Sequence, residues 1–305
     1  MKICKGFVIC IMPNKSHTVP PNTRKQYLNE YLPSVFSQLS SKTRAKKAIL
    51  HGEILVNGKQ VSVDYFINSG DKIEVVSKPI SNKKIFQEKL EVVFEDDYMA
   101  IINKPGGLPV NGNTFKTLEN ALPYNLRKSK SSDVLPFPLP VHRLDVPTCG
   151  LVMVAKTVAA QIKLGQDLQS KNLSKQYHAV AIGSFKEKKG TIDLPIENKA
   201  CITEYEVLVE SKSAQYGMLS YVALYPITGR THQLRIHLSE IGHPIVGDEY
   251  YSKGVELLKG KGLFLCAVQL DFEHPISGKK LQIKISAPPK FMKFMEREGS
   301  LKSNA

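Results

Sequence analysis

The sequence predicts an α+β protein in two parts, a small α/β domain over residues 24–80 and a larger domain over residues 85–295 on a mainly antiparallel sheet. Three observations carry this expectation. The 305 residues exceed the roughly 100–200 of one typical domain, and 42% of them are hydrophobic, enough for at least one substantial core. Residues 77–84, SKPISNKK, read as a polar, basic linker. Beyond it, strand patterns follow one another without regular alternation with helices, which argues against a doubly wound parallel sheet.

Residues 1–23 are expected to be an N-terminal extension. The run Phe7-Val8-Ile9-Cys10-Ile11-Met12 mimics a signal peptide, but Pro13-Asn14-Lys15-Ser16-His17 offers no small-residue cleavage site, and Met12 is an alternative start. A helix is expected from Arg24 to Leu32, with Tyr27, Leu28, Tyr31 and Leu32 on one face and Pro33 stopping it or starting the next turn. Ser41 can cap a second helix, Lys42 to His51, closed by Gly52 in the left-handed conformation. It sets Lys42, Arg44, Lys46 and Lys47 opposite Ala45, Ala48 and Ile49. A strand over Glu53–Val56, the hairpin pair Asn57-Gly58, a short strand near Lys59–Val61, and Lys72–Val76 after Gly70-Asp71 complete the domain.

In the larger domain, strands are expected at residues 90–94, 100–102, 151–155, 178–182, 205–209, 219–224, 262–267 and 281–285. Helices are expected at Val158–Gln169 and His232–Ile241, and residues 296–305 read as a flexible tail.

The net charge of +14 implies a polyanionic partner. It is uneven: residues 1–84 hold 14 Lys and Arg against 5 Asp and Glu, a net of +9. Five scattered cysteines without a CxxC pair fit neither a disulfide framework nor a thiolate zinc site, so a cytoplasmic location is expected. No apolar run approaches the roughly 20 residues that span a bilayer, and no membrane association is expected.

Several chemistries fall away on spacing. His232 and His237 are five apart, roughly 140° around a helix, so they cannot share a face as an HExxH pair does, and no metal is expected. Neither GxxxxGK[ST] nor GxGxxG is present. His142-Arg143-Leu144-Asp145 is superficially like a kinase catalytic loop but lacks that family's Gly-rich loop and Asp-Phe-Gly. Cys149, set in an apolar run, reads as a small buried hydrophobe. What remains is Asp145, a carboxylate beside Arg143 in a turn leading into an apolar strand. Taken alone, such an Asp serves equally as a structural partner of Arg143 or as a functional group.

Two resemblances decide further. GEILVNGKQV followed by GDKIEVV, behind two helices, resembles the S-four-like (alpha-L) RNA-binding domain over about residues 24–76. There Lys42, Arg44, Lys46 and Lys47 would grip an RNA backbone by shape and phosphate contact without reading bases. PVHRLDVPTCGLVMVAKT resembles the signature of the RluA-type pseudouridine synthases, and NKPGGLPV, KQYHA, GRTHQLRIHLSEIGHPIVGD and LFLCAVQLDFEHPISGKKLQIKISAPP follow that family's order over roughly residues 90–292. The resemblance implies a pseudouridine synthase fold, no cofactor, and conversion of uridine in RNA to pseudouridine. The base leaves the ribose through nitrogen and rejoins it through carbon-5.

By the same resemblance Asp145 is the catalytic residue, acting on the ribose, on the base, or as a base at the sugar. Arg235 is expected to pair with it, and Tyr177 to stack on the target base, with removal of the carbon-5 proton as a further possible task. Arg143 would fill the space left by a flipped uridine. His142, Arg230, Thr231, His232 and Lys104 are candidate RNA contacts, with bracing of the loop as the alternative for Arg230, Thr231, His232 and Lys104. Large-subunit rRNA is the expected substrate and tRNA the alternative. A monomer is expected. The rival reading is a non-catalytic RNA-binding or RNA-chaperone protein.

Overall fold

Residues 15–39, 41–50, 52–76, 84–252 and 260–300 are described by a computed structural model. The chain divides into two compact units, Met1–Lys83 and Lys84–Ala305, each taken by itself here. The 7–12 run, the alternative start and the 77–83 linker lie outside the described residues.

The small unit runs β1 (Lys15–Thr18), α1 (Leu28–Val35), a 3-10 turn (Ser37–Leu39), α2 (Lys42–Leu50), β2 (Ile54–Val56), β3 (Lys59–Gln60) and β4 (Lys72–Val75). Its strands lie in the order β1-β4-β2-β3. β1 falls in the segment read as an extension; a polar KSHT strand has no apolar alternation to betray it, and its pairing with β4 holds it.

α1 starts later than its apolar residues suggest, because Tyr27 is extended, bridges Phe66 and sets its ring, tilted by 38°, against that of Phe66 at 4.1 Å between centroids. The helix then carries Pro33 inside it, burying Leu28, Tyr31 and Leu32. Ser41 Oγ accepts the Arg44 N–H as the cap of α2, and Gly52 follows with φ +65°. Ala45, Ala48 and Ile49 are buried under α2 while Lys42, Arg44, Lys46 and Lys47 face solvent. Asp71 ties the hairpins together: its carboxylate accepts from Asn57 Nδ2, Tyr65 OH and the Asn68 N–H. Burial would raise the Asp71 pKa, yet these bonds outweigh it and lower the value.

The large unit contains β5 (Glu91–Glu95), β6 (Met99–Lys104), α3 (Leu118–Asn125), β7 (Val134–Pro140), β8 (Cys149–Thr157), α4 (Val158–Gln169), β9 (Ser174–Ile182), β10 (Lys189–Asp193), β11 (Ile202–Ser213), β12 (Gly217–Pro226), α5 (Gln233–Glu240), β13 (Leu265–Glu273), β14 (Lys280–Lys284) and α6 (Lys290–Ser300). The sheet runs β10-β11-β12-β9-β13-β8-β6-β5, with β14 on β13 and β7 on β8. Among the described residues every pairing is antiparallel except one, a seam of two residue pairs that joins β13 to β8 in parallel, Cys266 to Cys149 and Ala267 to Gly150. At Gly150, with φ +112°, a Cβ would lie 2.2 Å from the Ala267 carbonyl oxygen, so only glycine lets the two strands close.

In the large unit β13 begins at Leu265 rather than at 262 and runs on to Glu273, and four further elements depart from the sequence expectations. α3 and β7 carry internal prolines, which weaken both patterns; β7 survives because its irregular pairing lies off the main path of the sheet. β10 is a short, mostly exposed strand. Residues 296–300, expected in a flexible tail, instead continue α6, which buries Phe291, Phe294, Met295 and Glu298 on one face. Glu298 accepts a hydrogen bond from the buried Ser213 hydroxyl at 2.9 Å. Residues 301–305 lie outside the described set. No helix of the described residues is long and apolar enough to cross a membrane.

Candidate active site

Asp145 stands in the loop between β7 and β8, and that loop is fastened from below. The Lys104 side chain is fully buried, and its ammonium donates to the carbonyls of Pro105 and Leu108 at 2.9 Å and of Val146 at 3.2 Å. The Gly107 N–H also donates to Val146 O, and a Cβ at Gly106 would stand 3.0 Å from Pro147 O. The turn after β6 therefore meets the Asp145 loop backbone to backbone. Of the two roles expected for Lys104, an RNA contact or bracing of the loop, these bonds are the bracing one. Burial lowers its pKa to about 8, against the raising influence of nearby groups including Asp145.

A second loop, Thr228–His232, closes over the carboxylate from α5. Gln233 is buried and fixes that loop. Its Oε1 accepts from Thr228 Oγ1 and the Arg230 N–H, while its Nε2 donates to Ile202 O and Thr203 Oγ1. α5 begins at Gln233, because His232 takes the left-handed conformation, φ +56°. That turn sends the His232 ring toward Asp145, with Nε2 at 3.8 Å from Oδ1, while Nδ1 meets the Tyr251 hydroxyl at 2.8 Å.

Arg235, in the first turn of α5, is 2% exposed and reaches two carboxylates. Its Nε and Nη2 each donate to Asp248 at 2.8 Å, and Nη1 donates to Asp145 Oδ2 at 3.3 Å. Burial alone would lower the pKa of the guanidinium; the bonds to Asp248, and then Asp145, raise it instead. Asp248 also accepts the Tyr250 and Tyr251 N–H groups, and both tyrosine rings lie beside the guanidinium, 5.5 and 5.1 Å from its central carbon.

Asp145, His232, Gln233 and Arg235 line one cavity of about 530 Å³ with His142, Arg143, Lys175, Tyr177 and Arg230, and Asp248 holds Arg235 from outside that lining. Burial, and secondarily the charge of Asp145, raises the Tyr177 pKa. A phenol held protonated in this way is suited to forming a wall and ill suited to taking a proton. Burial pushes His142 down to about 3, and its Nε2 accepts the Met153 N–H, so the ring is a neutral part of the wall. Arg143 and Arg230 are exposed at the mouth; Thr231 is exposed and does not line the cavity. Cys149 is half-buried rather than enclosed and meets Leu265 O at 3.5 Å. Among the described residues no three His, Cys, Asp or Glu side chains come together as a metal-binding group.

Asp248 and Lys175 were given no role by the sequence reading. Both stand inside the motifs that carry the resemblance, Asp248 at the end of GRTHQLRIHLSEIGHPIVGD and Lys175 two residues before Tyr177. That one ends a motif and the other keeps strand spacing with Tyr177 are the signals available.

In the small unit, Lys42 is tied to Glu30 at 2.8 Å, so Arg44, Lys46 and Lys47 present the more available cations of α2.

Among the described residues that line the cavity Asp145 is the one carboxylate, clamped by Arg235 and accompanied by Tyr177, with Arg143 and Arg230 exposed at the mouth. The chain is a member of the RNA pseudouridine synthases, and hence an isomerase. The RNA pseudouridylate synthase family model matches residues 98–240, and the S4 domain model matches residues 38–73. The ribosomal large subunit pseudouridine synthase D of Escherichia coli is 33% identical over 311 residues, 92% of each chain. An uncharacterized RNA pseudouridine synthase of Bacillus subtilis is 31% identical over 278 residues, 83% of this chain and 89% of the relative. Among solved structures, human RNA pseudouridylate synthase domain containing 4 shares the fold with a TM-score of 0.56 at 24% identity, over 68% of this chain and 92% of that one.

Proposed function

We propose that the chain isomerises one or more uridines of large-subunit ribosomal RNA in the cytoplasm, with Asp145 as the catalytic carboxylate. The observation that carries this is the convergence of Asp145, Arg235 and Tyr177 on one cavity, with Arg235 3.3 Å from the carboxylate. The choice of substrate is supported by relatives named as large-subunit enzymes that align along about nine-tenths of the chain.

In this reading the target uridine leaves its stack and enters the cavity, at a cost of a few kcal/mol, and Arg143 at the mouth takes the vacated space. Tyr177 stacks on the base. Arg235 keeps Asp145 oriented, so that it is ready as a nucleophile or base. The N1–C1′ bond breaks, the C5–C1′ bond forms, N1 gains a proton and C5 loses one. Arg44, Lys46 and Lys47 add a grip on phosphates that is indifferent to sequence.

The test uses loss of the carbon-5 proton. Unmodified transcripts of large-subunit rRNA and of tRNAs, labelled with tritium at uridine carbon-5, are incubated with wild type and with Asp145→Asn. Release from the rRNA by wild type, reduced at least about a thousandfold in the variant, is the expected result. Release from tRNA alone moves the substrate; equal release by the variant removes Asp145 from the chemistry; no release from either RNA overturns the reading.

A further inference from the structure

Among the described residues, one half-buried cation of the cavity, Lys175, has no counter-charge. Asp145 and Asp248 are both engaged by Arg235, while Arg143 and Arg230 stand in solvent at the mouth. Lys175 is different. It is half-buried on β9, two residues before Tyr177 and therefore on the same face of that strand. Among the described residues, no acceptor lies within hydrogen-bonding distance of its ammonium and no carboxylate within ion-pair distance. The loop that passes it does so at Gly229, where a Cβ would stand 3.9 Å from Lys175 Nζ. A glycine there leaves the ammonium uncovered on that side.

Withdrawing an ammonium from water without a partner is unfavourable, and burial does lower the Lys175 pKa. A cation kept in such a place inside a binding cavity is matched to charge that arrives with the ligand. Exposure rises from Tyr177, through Lys175, to Arg143 and Arg230. A nucleotide entering base first would set its base against the most buried of these and its flanking phosphates at the level of the intermediate one. We infer that the Lys175 ammonium binds a phosphate adjoining the uridine drawn into the cavity, which makes Lys175 a substrate-binding residue of the reaction. This rests on the proposal that RNA enters the cavity beside Asp145.

The test compares Lys175→Met, which keeps the length of the side chain and removes the charge, with Lys175→Arg, which restores the charge. The probe is the tritium-labelled large-subunit rRNA transcript. Lys175→Met should raise KM about tenfold or more while kcat changes less, as expected when one charge-assisted hydrogen bond is removed. Binding is also measured over a range of salt, in an Asp145→Asn background that keeps the RNA unmodified. There the slope of log affinity against log salt should become shallower by about 0.7–0.9, one phosphate's share, and Lys175→Arg should recover it. A merely structural lysine would change the melting temperature without moving that slope. Unchanged KM and slope in a folded Lys175→Met overturn the inference, as does an Arg variant that folds but recovers neither. If wild type releases no tritium while the slope still depends on Lys175, the substrate or chemistry proposed above fails and the phosphate contact stands. If wild type and Lys175→Met release tritium with the same KM, the reverse holds.

Discussion

Asp248 holds Arg235 by two parallel bonds of 2.8 Å, and the same guanidinium reaches Asp145 by a single longer one of 3.3 Å. The shorter, bidentate contact fixes the arginine whether or not the Asp145 loop is engaged. Asp248 is thus the anchor and Asp145 the group being served. Replacing Arg235 by Leu leaves a fully buried carboxylate unpaired, and stability should fall by about 3–5 kcal/mol in urea titrations. The double variant Arg235→Leu, Asp248→Leu should regain much of that stability and none of the tritium release. Recovery of activity in the double variant would show that Asp145 needs no cation.

Lys104 yields a pH signature. Its pKa is about 8 in the folded chain and about 10.4 in an unfolded one, so between those values the unfolded chain binds more protons. Stability relative to Lys104→Met should therefore be flat below about pH 8 and rise toward pH 10.4, by on the order of 3 kcal/mol in total. Denaturant titrations of both proteins from pH 7 to 10 read this difference. Parallel profiles would mean that the ammonium is not enclosed as described.

The final turn of α6 supports the sheet. Glu298→Ala leaves the buried Ser213 hydroxyl without its acceptor and should cost about 1–3 kcal/mol, whereas Lys293→Ala on the exposed face of the helix should stay within about 0.5 kcal/mol. Equal melting temperatures for the two variants would return residues 296–300 to the status of a tail.

Changing Arg44, Lys46 and Lys47 to Gln in the full chain should weaken RNA binding and reduce its salt slope by about 0.9 for each phosphate no longer gripped. Lys42→Gln should matter less, because Glu30 already holds that side chain. The catalytic step on short RNA fragments should be untouched. An unchanged slope in the triple variant would place RNA elsewhere on the molecule.

What was legible in the sequence had local causes. Ser41 capping α2, the Asn57-Gly58 hairpin and the period of Val158–Gln169 depend on neighbours a few residues apart, and each formed where expected. Asp145, Tyr177 and Arg235 were legible through motifs, since the residues around each are distinctive together. The service of Lys104 to a backbone 42 residues away was not legible, and neither was the grip of Asp248 on Arg235, because nothing local distinguishes a buried ion from a solvated one. β7 and α3 were hidden by prolines whose missing hydrogen bonds the tertiary structure tolerates.

The two-residue seam between β13 and β8 bears on when the protein can work. Asp145 enters on one half of the sheet and Tyr177 on the other, and β13, which begins at Leu265, is the strand that joins them. A chain still emerging from the ribosome with β13 inside the exit tunnel has its acid and its aromatic wall on separate pieces. Until β13 has left the tunnel, Asp145 and Tyr177 cannot face one cavity.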